Sequence, residues 1–392
     1  MKKYDVIIIG AGAAGLMCAI EAGKRGRRVL VLDHANKVGK KILMSGGGRC
    51  NFTNYHIEPD CYQSHNPHFV KSALSRYTQW DFIKLVEKHN VPYYEKTLGQ
   101  LFCVNKSIDI VNILLKECED ASVDIKLKVS VESIKHQDNQ YHLATTIGML
   151  HCEALVIATG GLSIPTMGAT PFAYKIAEQF GLHVWPTRAG LVPFTLNPEQ
   201  KTRFLPLVGS STMCTVNTAG TAFKEAILFT HRGLSGPSML QISSYWDLKQ
   251  EIEINLLPEH DLLDELQHAR DNTPKKQISS VLHQYLPKRM IEVFIPEKLR
   301  IMKLADCSNQ TLESIVNALQ YWRIKPNGTE GYRTAEVTMG GVDCHALSSK
   351  TMEVNTISGL YFIGEALDVT GWLGGYNFQW AWSSGFAAGQ VV

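Results

Sequence analysis

The chain has 392 residues, 45% of them hydrophobic and 19% charged, with 39 Lys and Arg against 37 Asp and Glu. That is enough chain for two or three folded domains with sizeable cores, and no internal repeat or low-complexity stretch interrupts it. A formal net charge of +2 excludes a general electrostatic drive toward nucleic acid or membrane and leaves only local patches to consider.

The first predicted elements lie in "YDVIIIGAGAAGLMCAIEAGKRGRRVLVLD", residues 4–33. Met1-Lys2-Lys3 ahead of an apolar run imitates a signal peptide, but Asp5 interrupts it, glycines punctuate it and no small-residue cleavage site ends it. Val6–Ile9 reads as a short buried parallel strand, followed by a turn, a helix through Arg25 and a second strand, Val29–Leu32, ending at Asp33 and His34. Gly10-x-Gly12-x-x-Gly15 occupies the first turn, and each glycine has a physical task. Gly10 makes the turn, Gly12 lets the backbone approach a pyrophosphate, and Gly15 lets helix and sheet pack closely. The helix start at Ala13 and Ala14 faces the phosphate charge, and Asp33 accepts ribose hydroxyls. A lone GxGxxG is weak evidence; strand, helix, second strand and acidic residue in register predict dinucleotide binding.

The next stretch favours FAD over NAD. A plain NAD dehydrogenase continues into an ordinary crossover helix, whereas this chain continues into "NKVGKKILMSGGGRCNFTN", residues 36–54, which reads as a long loop. Its Lys41, Gly46, Gly47, Arg49, Cys50 and Asn51 can lie along an extended cofactor, with amides and cations near the phosphates and the isoalloxazine. Farther on, "LKVSVESIKHQ" (127–137) reads as strands returning to the same domain, with Val131 a backbone contact for adenine. "ALVIATGG" (154–161) is a strand ending in a small-residue turn, Ala158-Thr159-Gly160, that closes over the dinucleotide.

After Trp185-Pro186 the pattern changes. Residues 191–256 show short alternating strands, and 258–318 read as helices separated by proline and polar breaks. The last segment, 359–390, supplies a strand, Gly364-Glu365, and then Gly374-Gly375 opening a terminal helix with Tyr376, Asn377 and Phe378. Amides at that helix start can stabilise charge developing on a reduced flavin. The fingerprint stands at one end and this helix at the other, so the cofactor domain is discontinuous. The expected plan is an α/β protein with a Rossmann-like FAD-binding domain of the glutathione-reductase type (1–190 and 336–392), a small β domain (191–257 and 319–335) and a helical insert (258–318).

With these motifs the chain resembles the aminoacetone-oxidase or BaiN-type FAD-dependent oxidoreductases over almost its whole length. The specific marks are "SGGGRCNFTN", "FTHRGLSGPSML" (229–240), "VTMGGV" (337–342) and "GGYNFQWAWSSG" (374–385). One departure is "MGATPFAY" (167–174), where Pro171 and Phe172 replace a glycine–aspartate–glycine turn. The resemblance implies non-covalent FAD, the same three-part plan, and either reduction of a conjugated C=C or amine oxidation with oxygen. It also brings in ribosomal RNA, because some relatives are associated with reducing one of its uracils.

Three side chains stand out for proton chemistry. Cys50 beside Arg49 is either a thiol acid near the ring or a small apolar residue packed against it. His231 in "FTHRGLSGP" either faces the flavin from the substrate side or bonds its own turn, and Tyr376 is a further candidate acid. Glu365 and Asp368 read as ribityl or phosphate-water ligands. No second GxGxxG is present, so a reduced nicotinamide, NADH or NADPH, is expected to visit the flavin face transiently as reductant. The nine cysteines lie more than ten residues apart, which excludes a CxxC pair and predicts reduced thiols in a cytoplasm, and the histidines show no metal spacing. No run is long and apolar enough to cross a membrane. Residues 266–303 carry eight Lys and Arg against three acidic residues, but the whole insert nets −1. The expectation therefore leans to a small-molecule substrate, with RNA as the alternative through the insert.

Overall fold

A computed structural model describes residues 4–392; Met1–Lys3, part of the stretch weighed above as a leader, lie outside them. Val6, Ile7, Ile8 and Ile9 are all buried in a strand that is paired on both edges, Val6 with Ala154 on one side and Val29 on the other. A strand covered on both faces needs apolar side chains without alternation, and this one has them. The parallel sheet runs, in spatial order, 360–362, 154–157, 6–9, 29–33, 124–127. It draws strands from both ends of the chain, as the discontinuous α/β plan requires. The helix Ala13–Lys24 buries Ala14 through Ile20 and packs against the terminal helix Tyr376–Gly389.

The stretch expected as one long loop is built differently. It holds a short helix Lys40–Met44, a tight turn Ser45–Gly48 and a strand Asn51–Asn54 paired with Gln100–Cys103. The sharp reversal rests on left-handed backbone at Gly46 and Gly47 (φ 56° and 65°), which glycine adopts without a Cβ clash. A three-stranded antiparallel meander, 131–137, 140–145 and 148–152, follows the last strand on that side of the parallel sheet. Pro171 ends the turn after Met167 and directly precedes the helix Phe172–Gln179.

The chain divides into two compact units, Met1–Arg188 with Glu336–Val392, and Ala189–Ala335. The second unit contains a seven-stranded sheet in the order 322–324, 252–255, 211–218, 221–229, 233–235, 194–195, 328–329. Its longest hairpin turns at Ala219-Gly220, both with positive φ, the two-residue geometry that matches strand twist. The helices of 258–318, expected as a separate domain, belong to this same unit. The physical reason is an aromatic cluster: Phe294 from the helices meets Trp322 at 4.8 Å and Phe204 at 5.8 Å, and both of these meet Phe229 of the sheet. Among the described residues no helix is long and apolar enough to cross a membrane, no group of three or more metal-ligating side chains exists, and all nine cysteines are buried and unpaired.

Candidate functional site

The three fingerprint glycines divide into two kinds. A Cβ on Gly10 would lie 2.3 Å from the Ala158 carbonyl oxygen and one on Gly15 would lie 1.9 Å from the Gly10 carbonyl, so the chain's own packing demands both glycines. A Cβ on Gly12 would meet nothing within 4 Å, and its φ of −90° suits any residue. Nothing in the chain's own packing requires a glycine at position 12. It is also the N-cap of the helix Ala13–Lys24, and no side chain bonds the free amides there. Opposite, Thr159 Oγ1 is buried with no partner, and Gly160 follows it. An uncapped helix start, an open approach and an orphaned hydroxyl are what a dinucleotide phosphate would satisfy, so these residues fit FAD.

Asp33 ends the second strand with both carboxylate oxygens already engaged: Ala11 N–H donates to Oδ2 and Ala35 N–H to Oδ1, each at 2.8 Å. Each oxygen keeps a second lone pair for a ribose hydroxyl. The His34 ring is half-exposed, with Nδ1 3.8 Å from Asp33, and Gly168 of the "MGATPFAY" turn comes up against it. Val129 N–H donates to the Asp33 carbonyl and Lys128 N–H to that of Ala35, which lays 128–131, and so Val131, beside the end of the second strand.

Lys41 and Glu365 meet, although 324 positions apart. Lys41 Nζ donates to Glu365 Oε2 and to Ser163 Oγ, both at 2.6 Å; Ser163 Oγ and Thr338 N–H donate to Glu365 Oε1 at 3.0 and 2.9 Å. Thr338 Oγ1 in turn accepts the Leu162 and Ser163 amides. Lys41 is thus paired rather than a free cation for phosphate, and the closed network fixes the chain next to Gly160. Gly364 sits against the Ala14 methyl and donates its N–H to Ser384 of the terminal helix. Ser163 and Thr338 were missed in sequence; "VTMGGV" was marked as a family trait without a task for its threonine.

The glycine loop corrects several expectations. Cys50 is fully buried, with φ 49°, and burial pushes its thiol well above the usual range. A side chain with no surface cannot touch a cofactor or protonate a substrate, so Cys50 is neither flavin contact nor acid. Arg49 is exposed and its guanidinium donates to the Tyr94 hydroxyl at 3.2 Å. Gly46 and Gly47 are exposed beside it. Asn51 is a strap between the strand and the terminal helix: with its oxygen toward Gly375 N–H at 3.2 Å, its amide nitrogen donates to Thr53 and Leu101 carbonyls.

The start of the terminal helix is similarly built. Gly375, at φ 98°, caps it against the Thr53 backbone. Asn377 donates its amide nitrogen to the Gly371 and Trp372 carbonyls and accepts the Gly371 N–H at 2.8 Å, which ties the helix start to that turn. Tyr376 is 6% exposed, its ring set against Tyr62 and Trp372, which removes it as a substrate acid. Phe378 is partly buried and stacks on Trp382. His231 lies in the second unit as an exposed turn residue; Thr230, not the histidine, bonds that turn, through Arg232 and Gly233 amides.

One constellation was not singled out in sequence. Asp368, 4% exposed, accepts both the backbone N–H and the Nδ1 of His65 at 2.8 Å, and the His65 ring stacks on Trp185 at 3.7 Å and 6°. Nothing in the spacing of residues 65, 185 and 368 could have announced it.

The model of the HI0933-like protein Rossmann domain matches residues 4–391. A ribosomal RNA dihydrouridine synthase of Escherichia coli is 53% identical over 396 residues, covering 100% of this chain and 98% of that one. Its namesake in Haemophilus influenzae is 50% identical over 400 residues, covering 100% and 99%. A 3-dehydro-bile acid delta(4,6)-reductase of Clostridium scindens is 26% identical over 412 residues, covering 98% of each. Among solved structures, a 3-ketosteroid-delta4-(5alpha)-dehydrogenase of Rhodococcus jostii superposes with a TM-score of 0.50 at 14% identity, over 99% of this chain and 97% of that one, a likeness of fold alone. The chain belongs to the HI0933-like Rossmann family and is an FAD-dependent oxidoreductase.

Proposed function

We propose that this chain reduces the C5=C6 bond of a uridine in ribosomal RNA to dihydrouridine, with electrons from a reduced nicotinamide. The observation that carries the reading is the 53% identity, end to end, with a ribosomal RNA dihydrouridine synthase. The uracil C5=C6 bond is conjugated to the C4 carbonyl, so the chemistry is the conjugated C=C reduction expected from sequence. What changes is the substrate: identity at this level outweighs the charge balance that favoured a small molecule. Bound FAD supplies the hydride chemistry.

The chain's own residues bind and orient. Gly12 and the amides of Ala13 and Ala14 receive the pyrophosphate, Asp33 the adenosine ribose, and Thr159 a cofactor oxygen. The Lys41–Glu365–Ser163–Thr338 network holds the turn at Gly160 rigid. In the second unit Lys275, Lys276, Lys288 and Arg289 are exposed and offer cations to an RNA backbone. The test is direct: purified protein with NADH or NADPH and unmodified ribosomal RNA transcript should convert uridine to dihydrouridine. Flavin reduction without dihydrouridine, together with turnover of a small enone, would overturn the reading.

A further inference from the structure

The His65–Asp368 pair has the build of a proton-delivering group. Asp368 is buried and takes two donors from one residue, which fixes Nδ1 of His65 inward; Trp185, stacked at 3.7 Å, fixes the plane of the ring. The side chain is nevertheless 50% exposed, so Nε2 is the nitrogen left open.

Its surroundings point the same way. Gln63, two residues earlier, pairs with Thr370, and its amide nitrogen is buried without a partner. Such an orphaned donor calls for an acceptor from outside the chain, and a carbonyl oxygen would serve. Asp368 and Thr370 lie on the short segment between Glu365, locked into the network beside Gly160, and Gly375, which caps the terminal helix. His65 and Gln63 are therefore held on the strip of chain that links the Glu365 network beside Gly160 to the start of the terminal helix.

Resting on the function proposed above, we propose that His65 is the catalytic acid and Asp368 its positioning residue. The C5=C6 π bond breaks, C6 receives a hydride and its electron pair from the reduced cofactor, which is oxidised, and C5 receives the proton from Nε2. The imidazole is left neutral, with Nδ1–H still directed at Asp368, and regains its proton from water. Net consumption is one reduced nicotinamide and one proton per uridine.

The test uses the full-length holoprotein, ribosomal RNA transcript and NADPH or NADH in D2O. His65→Asn keeps a donor for Asp368 and deletes only the Nε2 position. It should keep its flavin absorbance and its reduction by nicotinamide while reoxidation by RNA slows ~10²-fold or more, the scale of a lost general acid. Wild type should place deuterium at C5 in a single configuration, and the residual product of the variant should carry both. Histidine 15N resonances of the resting protein should show Nδ1 of His65 protonated. Wild-type product with deuterium in both configurations, an Nε2–H tautomer, or unchanged reoxidation in the variant would each overturn the assignment, the first two without depending on the variant's folding. Wild type that forms no dihydrouridine at all would overturn the proposed function and this assignment with it; dihydrouridine formed normally by the variant would overturn this assignment alone.

Discussion

Replacing Gly12 by alanine should separate cofactor binding from folding. The new Cβ would meet no chain atom within 4 Å, and the backbone already has φ −90°, so nothing in the protein resists it. An alanine N-cap costs roughly 1 kcal/mol relative to the better caps, less relative to glycine. Loss of glycine's freedom in the unfolded chain returns about 0.4–1 kcal/mol. The apoprotein should therefore melt within about 2–4 °C of wild type, the shift that ~1 kcal/mol gives in a domain of a couple of hundred residues. FAD is a different matter, because the methyl occupies the approach the pyrophosphate needs. Wild type at a hundredfold excess over Kd gains about 2.7 kcal/mol from the ligand, and the variant should gain none. Gly10→Ala and Gly15→Ala are the contrasting controls: their Cβ atoms would overlap backbone carbonyls at 2.3 and 1.9 Å, so they should lose the fold itself. Thermal melts of flavin-stripped protein with and without FAD, read beside visible absorbance, make the comparison. A Gly12→Ala protein that binds FAD normally, or an apoprotein as damaged as the controls, would refute the assignment of that glycine to the cofactor.

Other expectations follow from single sites. Cys50→Ala should leave reoxidation by substrate essentially unchanged, against the ~10²-fold loss a general acid would show, and native protein should resist thiol reagents because all nine cysteines are buried. Burial alone would raise the Glu117 carboxyl, but Lys88, His89 and Lys24 hold it at about 2 instead of 4.5. Its contribution to stability is thus complete above pH 4.5 and lost as pH falls toward about 2, and denaturant melts of Glu117→Gln should be flatter through that window. Converting Lys275, Lys276, Lys288 and Arg289 to Glu should weaken RNA binding and reduce the slope of log K against log salt by roughly three to four. Lys288 contributes least, because Glu292 is 3.8 Å from it. Unchanged RNA affinity and slope in filter binding would move the RNA surface elsewhere, while FAD content should be unaffected in either case.

What the sequence disclosed and what it hid follow from the range of the interactions. The strand Val6–Ile9, the fingerprint turn and the helix after it are local: apolar run, glycine spacing and acidic end all fall within thirty residues, and the observed elements match them. Glu365 and Lys41 were each placed near the cofactor from their own neighbourhoods, yet their mutual bond spans 324 positions and has no local signature. Cys50 misled for the opposite reason. Its flanking glycines and arginine suggested an exposed reactive loop, but the backbone reverses at Gly46–Gly48 and turns the thiol into the core. Tyr376 is buried likewise, and Asn377 is tied through its amide to the turn at Gly371-Trp372, which a helix start that looks open in sequence does not disclose.

The terminal helix shows why the cofactor unit has to use both ends of the chain. Its Gly385 and Gly389 lie four residues apart on one face, where added Cβ atoms would come within 2.4 Å of the Ala14 carbonyl and 2.6 Å of the Glu21 side chain. Bare backbone at those two positions lets the helix lie directly on Ala13–Lys24, whose start is the phosphate cradle. The same helix donates from the Trp380 indole to the Gly364 carbonyl and accepts the Gly364 N–H at Ser384, fixing the strand end that carries Glu365. Its own first residues are held to the Asn51–Asn54 strand through Asn51 and Gly375. One element therefore sets the spacing of the fingerprint helix, the Glu365 network and the glycine loop at once. Residues 189–335 leave the first unit after Arg188, and the chain returns at Glu336, whose carbonyl accepts Ser163 Oγ at 3.3 Å two residues before Thr338 joins the Glu365 network.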